Sequence, residues 1–159
     1  MLGKLKLPTM FGKHFTVFGG PYVEKPSSMV GVRMAVEIRR PADIVIPTED
    51  FSVPSTHDLN IGLIAAVKNI VAGEPVYVGC MGGRGRTGLF LAVLAKAFGI
   101  ENPVEYIREN YYSHAVETNQ QYQFVENYVV PPVVLKMVRR AKLFSFLRFG
   151  KNHTNAVKS

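Results

Sequence analysis

Short β-type apolar runs fill the first half of the chain, and helically spaced apolar positions fill the second. Phe15-Thr16-Val17-Phe18 and the stretch 32–38 read as strands, separated by the break Gly19-Gly20-Pro21. The second strand alternates imperfectly, so its pattern alone does not set a register. Ile44-Val45-Ile46 is another short strand. Leu59, Leu63, Ala66, Val67 and Ile70 keep one helical face, with Gly73 as a stop and Pro75 opening the next strand. Asp58 is the expected cap of that helix. The strand, Val76-Tyr77-Val78, runs into a glycine-rich loop, and the loop runs into the segment 89–98. That segment is apolar nearly all round, which places it at the centre of the fold. Further helices are expected near 103–111, 118–130 and, past Pro131-Pro132, 133–149. Strands first, a central strand and loop, then helices predict an α/β fold, with a mixed central sheet flanked by helices.

The junction between the central strand and its helix holds the chain's one cysteine. It reads Gly79-Cys80-Met81-Gly82-Gly83-Arg84-Gly85-Arg86-Thr87-Gly88. Glycines let the backbone N–H groups of Met81, Gly82, Gly83, Arg84, Gly85 and Arg86 converge. The helix N-terminus adds partial positive charge, and the Arg86 guanidinium closes the ring. A thiol in such an anion cradle is expected to ionise more readily than a free cysteine. An inert core cysteine would sit in an apolar pocket, which Gly-Gly-Arg-Gly-Arg does not build.

Other loops share parts of this pattern. Residues 83–88 also satisfy the dinucleotide fingerprint G-x-G-x-x-G. That reading wants an acidic residue ending a second parallel strand about twenty residues later, and Glu105 instead sits in a helical pattern beside Pro103. A Walker-type loop requires Gly-Lys-Ser/Thr, and this loop contains no lysine. A rhodanese-like sulfurtransferase loop would leave Asp50 and Gln121 unexplained.

The loop resembles the Cys-x5-Arg-Thr/Ser signature of the protein tyrosine phosphatase superfamily, closest to its compact dual-specificity branch. The similarity runs from about Ile44 to Tyr128. Asp50-Phe51-Ser52-Val53-Pro54 is similar to the family's mobile general-acid loop, with Thr48 and Glu49 where tryptophan and proline often stand. Glu117-Thr118-Asn119-Gln120-Gln121-Tyr122-Gln123-Phe124 is similar to the family's Gln-Thr-x-x-Gln-Tyr-x-Phe segment, with Glu117 in place of its first glutamine. The resemblance implies a phosphatase-like fold and hydrolysis of phosphate monoesters through a phosphocysteine. Cys80 would be the nucleophile and Arg86 the phosphate fork. Asp50 would be general acid and then base, Thr87 a donor to the departing thiolate, and Gln121 would orient the water. Met81 to Arg86 would bind the phosphate through their amides. Gln121 otherwise reads as exposed helix-face material, and Asp50 as a helix cap. Gly79 stands where the family usually has histidine, so Cys80 is expected to be less acidic than in members that carry it. No cofactor is implied, and the four scattered histidines offer no metal site.

Composition narrows the setting. At 159 residues and 47% hydrophobic, the chain makes one domain with a real core, residues 1–132, followed by a basic amphipathic segment 133–159. One cysteine excludes an internal disulfide and fits a reducing, cytoplasmic compartment. The first eight residues are too short and charged for a signal peptide, and the longest apolar stretch falls short of the ~20 residues that span a bilayer. The net charge of +7 is concentrated after Glu126, where Lys136, Arg139, Arg140, Lys142, Arg148, Lys151 and Lys158 follow with no acidic residue. Val134, Met137, Val138, Ala141 and Phe144 recur opposite those charges. The segment reads as a docked terminal helix, or as one attracted to anionic membrane or nucleic acid with Phe144, Phe146 and Phe149 as anchors.

Arg84 is expected to project toward the substrate, since the similar loop in phosphoinositide 3-phosphatases carries a lysine there. A phosphorylated protein is the first expectation for a substrate. A phosphoinositide or an RNA 5′-triphosphate is the alternative that Arg84 and the basic tail allow. A non-catalytic module that binds phosphorylated ligands is the alternative of a different class. Such modules usually lack the Cys, Arg or Asp that this chain retains.

Overall fold

The computed structural model describes residues 3–10 and 12–154, with side chains described as far as Ser145. Its strands are Gly3–Pro8 (β1), His14–Pro21 (β2), Val30–Ala35 (β3), Ile44–Thr48 (β4) and Val76–Cys80 (β5). They form one sheet in the order β1-β2-β5-β3-β4, with β1 antiparallel to β2 and every other neighbouring pair parallel. The helices are Thr56–Val71 (α1), Gly85–Ala97 (α2), Pro103–Asn110 (α3), Asn119–Asn127 (α4) and Pro132–Thr154 (α5). This is the α/β architecture the pattern of elements predicts.

β5 is central, and all five of its residues are buried. A parallel strand covered on both faces reads as a continuous apolar run, which is why Val76-Tyr77-Val78 shows no alternation. α2 follows it directly and is buried at every residue except Lys96. The C-terminal ends of the parallel strands, at Pro21, Ala35, Thr48 and Cys80, gather along one edge of the sheet. In open α/β sheets that edge is where ligands bind.

The sequence reading needs correction in several places. The apolar-run pattern names no strand before Phe15, yet β1 pairs with β2 there. In fact Leu5 and Leu7 are fully buried while Lys4 and Lys6 face solvent, the alternation of a one-sided edge strand guarded by lysines. The strand expected over 32–38 stops at Ala35. A register shift against β4 falls between Arg33 and Ala35, the last pair is Ala35 with Thr48, and Ile38 N–H then turns back to the Ala35 carbonyl at 3.4 Å. The turn leaves Glu37 outside the sheet. Ser55, not Asp58, caps α1: its hydroxyl accepts the Asp58 N–H at 3.1 Å and donates to the Asp58 carboxylate at 2.8 Å. α4 ends at Asn127, because Tyr128 turns extended before Pro131.

α5 lies along α1. Tyr128, just before it, donates to Asn60 in the first half of α1 at 2.5 Å. Val134 and Val138 are buried, and the Lys142 ammonium donates to the Phe98 carbonyl at the end of α2 at 2.6 Å. Phe146 and Phe149 lie outside the described side chains. No helix among the described residues is long and apolar enough to cross a membrane.

Packing of α1 on the sheet leaves no room at Gly62, where an added Cβ would collide with the Ile46 side chain. Gly62→Ala is expected to destabilise by about 1–3 kcal/mol through overpacking. Ile46→Val in the same background should recover part of that loss, giving a double-mutant coupling in urea melts; strict additivity would contradict the contact.

Candidate active site

Four polar side chains are buried among the described residues: Thr48, Arg86, Thr87 and Gln121. All four surround the loop between β5 and α2. Burying so many polar groups at one place has a cost, and each of the four residues makes at least one hydrogen bond.

Cys80 ends β5, buried, and its sulfur accepts a hydrogen bond from the Thr87 hydroxyl at 3.1 Å. The loop that follows turns at Gly83, whose φ of 71° is open to glycine and whose added Cβ would strike the Gly20 backbone. The Gly83 carbonyl accepts the Tyr111 hydroxyl at 2.6 Å. Burial, and then the negative charge of Cys80, hold the Tyr111 hydroxyl well above its ordinary titration range, so it remains a donor to the loop. Beneath the loop, Tyr77 donates to the Pro21 carbonyl at 2.9 Å; burial pushes its pKa up to about 12.

Gly79 has a steric explanation. The turn Tyr22–Glu24 crosses against it, and an added Cβ would lie 2.7 Å from the Tyr22 Cα. A histidine cannot occupy that position without moving backbone. The loop's internal support comes instead from Tyr111 and Tyr77.

Arg86 sits at the second position of α2, 2% exposed. Its guanidinium donates to Glu37 at 2.8 and 2.5 Å and to the Thr48 carbonyl at 2.9 Å. Its Nε is buried with no hydrogen-bond partner. Burial works against the Arg86 charge, but the Glu37 hydrogen bonds and the negative charges of Cys80, Glu37 and Asp50 outweigh it and raise its pKa. Glu37 responds in kind: the Arg86 hydrogen bonds hold its carboxyl below the ordinary 4.5, against the smaller opposing effect of burial. The turn after the β3 irregularity delivers Glu37 to this spot. Sequence reasoning missed Glu37, Thr48 and Tyr111 as site residues, because each reaches the loop across a long chain separation with no local motif to mark it.

Asp50 lies over this group, exposed, with its carboxylate 3.2 Å from the Arg86 guanidinium. It is not a helix cap. Just past β4 the Ser52 N–H closes a tight turn onto the Glu49 carbonyl at 3.1 Å, and within it Phe51 adopts φ 57°, a strained conformation for an aromatic residue. Gln121 is fully buried, not exposed as its polar helical setting suggested. Its carbonyl accepts the Glu117 and Thr118 N–H groups at 2.9 and 3.2 Å, completing a capping box with Thr118. Its amide donates to the Ser52 carbonyl at 3.1 Å, and the Thr118 hydroxyl reaches the Phe51 carbonyl at 3.4 Å. The N-terminus of α4 therefore holds the Asp50 loop by two bonds.

Glu117 is exposed and lies against Gly85, where an added Cβ would meet its carboxylate. Arg84 is exposed at the rim, its guanidinium 5.4 Å from the centre of the Tyr112 ring. Met81 and Gly82 are exposed beside it, while Gly85 is buried at the start of α2. No cluster able to hold a metal ion occurs among the described residues. The arrangement brings Cys80, Arg86, Thr87 and Asp50 to one edge of the sheet, a buried thiol and a buried guanidinium beneath an exposed carboxylate.

A family model described as "Swiss Army Knife protein, DSP-PTPase phosphatase domain" matches residues 24–132. Two uncharacterized proteins of Methanocaldococcus jannaschii are similar in sequence. One, MJECL20, is 41% identical over 86 residues, covering 54% of this chain and 58% of its own. The other, MJ0215, is 43% identical over 98 residues, covering 61% and 57%. The chain thus spans little over half the length of these relatives. Among solved structures, kinase associated phosphatase with its catalytic cysteine replaced by serine aligns with TM-score 0.61 at 14% identity, covering 79% of this chain and 91% of that one. Tk-PTP in a mutant form aligns with TM-score 0.51 at 21% identity, covering 72% and 79%. PTPMT1 in complex with PI(5)P aligns with TM-score 0.51 at 18% identity, covering 83% and 93%. These three likenesses are of fold.

The Glu37–Arg86 pair predicts an acid-sensitive share of stability. Because the native carboxyl of Glu37 titrates below 4.5, its stabilisation is complete above that pH and is lost as pH falls through the lower native value. The stability gap between wild type and Glu37→Gln, read from urea midpoints, should be constant near neutrality and shrink below pH 4.5. A gap that stays level into acid would contradict the pairing.

Proposed function

Because the chain belongs to the DSP-PTPase phosphatase domain family, we propose that it hydrolyses phosphate monoesters of proteins through a phosphocysteine intermediate. The observation that carries this reading is the Arg86 guanidinium, fixed on three bonds by Glu37 and Thr48 while its buried Nε has no partner. A cation immobilised this way needs no reorganisation when an oxyanion binds, and such preorganisation is usually the largest catalytic contribution.

In the proposed reaction Cys80 Sγ attacks phosphorus in line, and the P–O bond to the leaving group breaks. Asp50 gives that oxygen its proton. Arg86 and the amides of Met81, Gly82, Gly83, Arg84, Gly85 and Arg86 bind the equatorial oxygens, Arg86 as a planar fork that lysine could not reproduce. Water then attacks the phosphocysteine with Asp50 as base, and the thiolate leaves toward the Thr87 hydroxyl 3.1 Å away. Gln121 acts as a positioning residue: its amide is committed to the Ser52 carbonyl, so it serves the water by fixing the loop that carries Asp50.

A phosphoinositide is the second reading. It rests on the exposed Arg84 at the rim and on the fold shared with PTPMT1, whose solved complex contains PI(5)P. A triphosphorylated RNA end offers comparable charge to Arg84.

A panel of phosphotyrosine and phosphoserine peptides, inositol phosphates and triphosphorylated RNA tests these readings, with Cys80→Ser as the blank. Phosphopeptide turnover should lead the panel and vanish in Cys80→Ser. Arg86→Lys should lower kcat/KM by about 10²–10³-fold. Turnover that survives in Cys80→Ser would exclude the covalent route. Peptide binding without turnover in the wild-type protein would make this a phosphate-binding module instead.

A further inference from the structure

The excess of positive charge that follows Glu126 begins on α5, away from the Cys80 loop. α2 starts at the Cys80 loop and runs thirteen residues, about 20 Å, to its end at Ala97. Beside that end Lys142 binds the Phe98 carbonyl, and Met137 and Ala141 of α5 approach Val71 at the end of α1. The turn between β1 and β2 meets them there. This pole is opposite the strand ends that hold Cys80, Arg86 and Asp50.

A cleft of about 740 Å³ opens at this pole. Phe15, Val71, Met137, Ala141 and Phe144 form its apolar part, Thr9, Lys13, His14, Arg140 and Ser145 line the rest, and no acidic residue is among its described lining. Met10, Leu143 and Phe144 are exposed at 42%, 54% and 57% on the turn and helix that frame it. Lys136, Arg139 and Arg140 are exposed on the same helix. The helical backbone continues to Thr154, its sequence adding Arg148 and Lys151 without an acidic residue.

We propose that this pole is a docking surface for an anionic lipid bilayer. The charge is complementary to a negative head-group layer: α5 carries no acidic residue, and its lysines and arginines outnumber the exposed carboxylates at this end, Glu74 and Glu101. The apolar residues match the layer beneath, with Phe144, Leu143 and Met10 entering at the head-group boundary. A nucleic acid would use the same cations and could stack on the phenylalanines, but would leave Val71, Met137 and Ala141 without a role. The geometry also orients the enzyme: with this pole on the bilayer, the Cys80 loop faces water. The docked protein then acts on soluble phosphoesters rather than on head groups of the bilayer that holds it.

Sedimentation of the full chain with vesicles tests this, using phosphatidylcholine alone and phosphatidylcholine mixed with phosphatidylglycerol. Turnover of a small aryl phosphate verifies that each variant is folded. Binding should require the anionic lipid, weaken with salt, and fall about tenfold or more in Arg139→Glu/Arg140→Glu. Phe144→Ser should also weaken it, while aryl phosphate turnover stays unchanged in both variants. No binding, equal binding to neutral vesicles, or indifference to both variants would overturn the docking surface. Single-stranded RNA that binds through these residues while vesicles do not would replace the bilayer as partner. A phosphoinositide in the docked vesicle should react no faster than its water-soluble short-chain analogue; faster reaction would overturn the orientation.

Discussion

A guanidinium that is 2% exposed is the constraint around which the rest of the site is arranged. Taking such a charge out of water costs several kcal/mol unless it is paired in good geometry. Here the Glu37 carboxylate and the Thr48 carbonyl meet one side of Arg86, while Nε on the other side is buried with no partner. That division explains the irregular end of β3. A regular strand through residue 38 would keep Glu37 in the sheet, whereas the register shift beyond Arg33 frees it to reach the cation. It also explains why β4 ends where it does, since its last carbonyl is one of the acceptors.

Around that fixed charge the fold supplies rigidity by close backbone approach. Glycine is required at 79 and 83 because the chain before β3 passes directly over the loop. The tyrosines then do what a side chain at 79 cannot, binding the loop and its neighbouring strand end through hydroxyls that burial keeps protonated. On the other side, strain at Phe51 is held by the start of α4. Helix capping and the placement of the Asp50 loop are one structure: the same Gln121 amide closes the cap with its oxygen and holds the loop with its nitrogen.

Local chemistry made much of this legible from the residues alone. The strand–glycine–helix order around Cys80, the Phe-x-Val-Pro sequel to Asp50 and the all-apolar α2 each follow from short-range pattern. What escaped notice depends on long-range contact. Glu37 reads as an ordinary charge in an imperfect strand, and only tertiary packing gives it Arg86 as partner. Gln121 reads as surface because a glutamine on a helix usually is; its burial follows from a cap and a loop that meet in space. Leu5 and Leu7 do alternate with lysines, but two apolar positions are too short a run to mark an edge strand without the β2 partner that buries them. The order of the strands is invisible locally, since a parallel sheet pairs residues far apart in the chain.

The central claim is that Cys80 and the immobilised Arg86 form one anion-binding nucleophilic centre. Iodoacetamide alkylation of Cys80 at neutral pH, followed with and without vanadate, tests it most directly. The account predicts modification faster than that of an ordinary thiol, protection by vanadate, and loss of the protection in Arg86→Ala. Alkylation at the rate of a free cysteine, indifferent to vanadate, would contradict it.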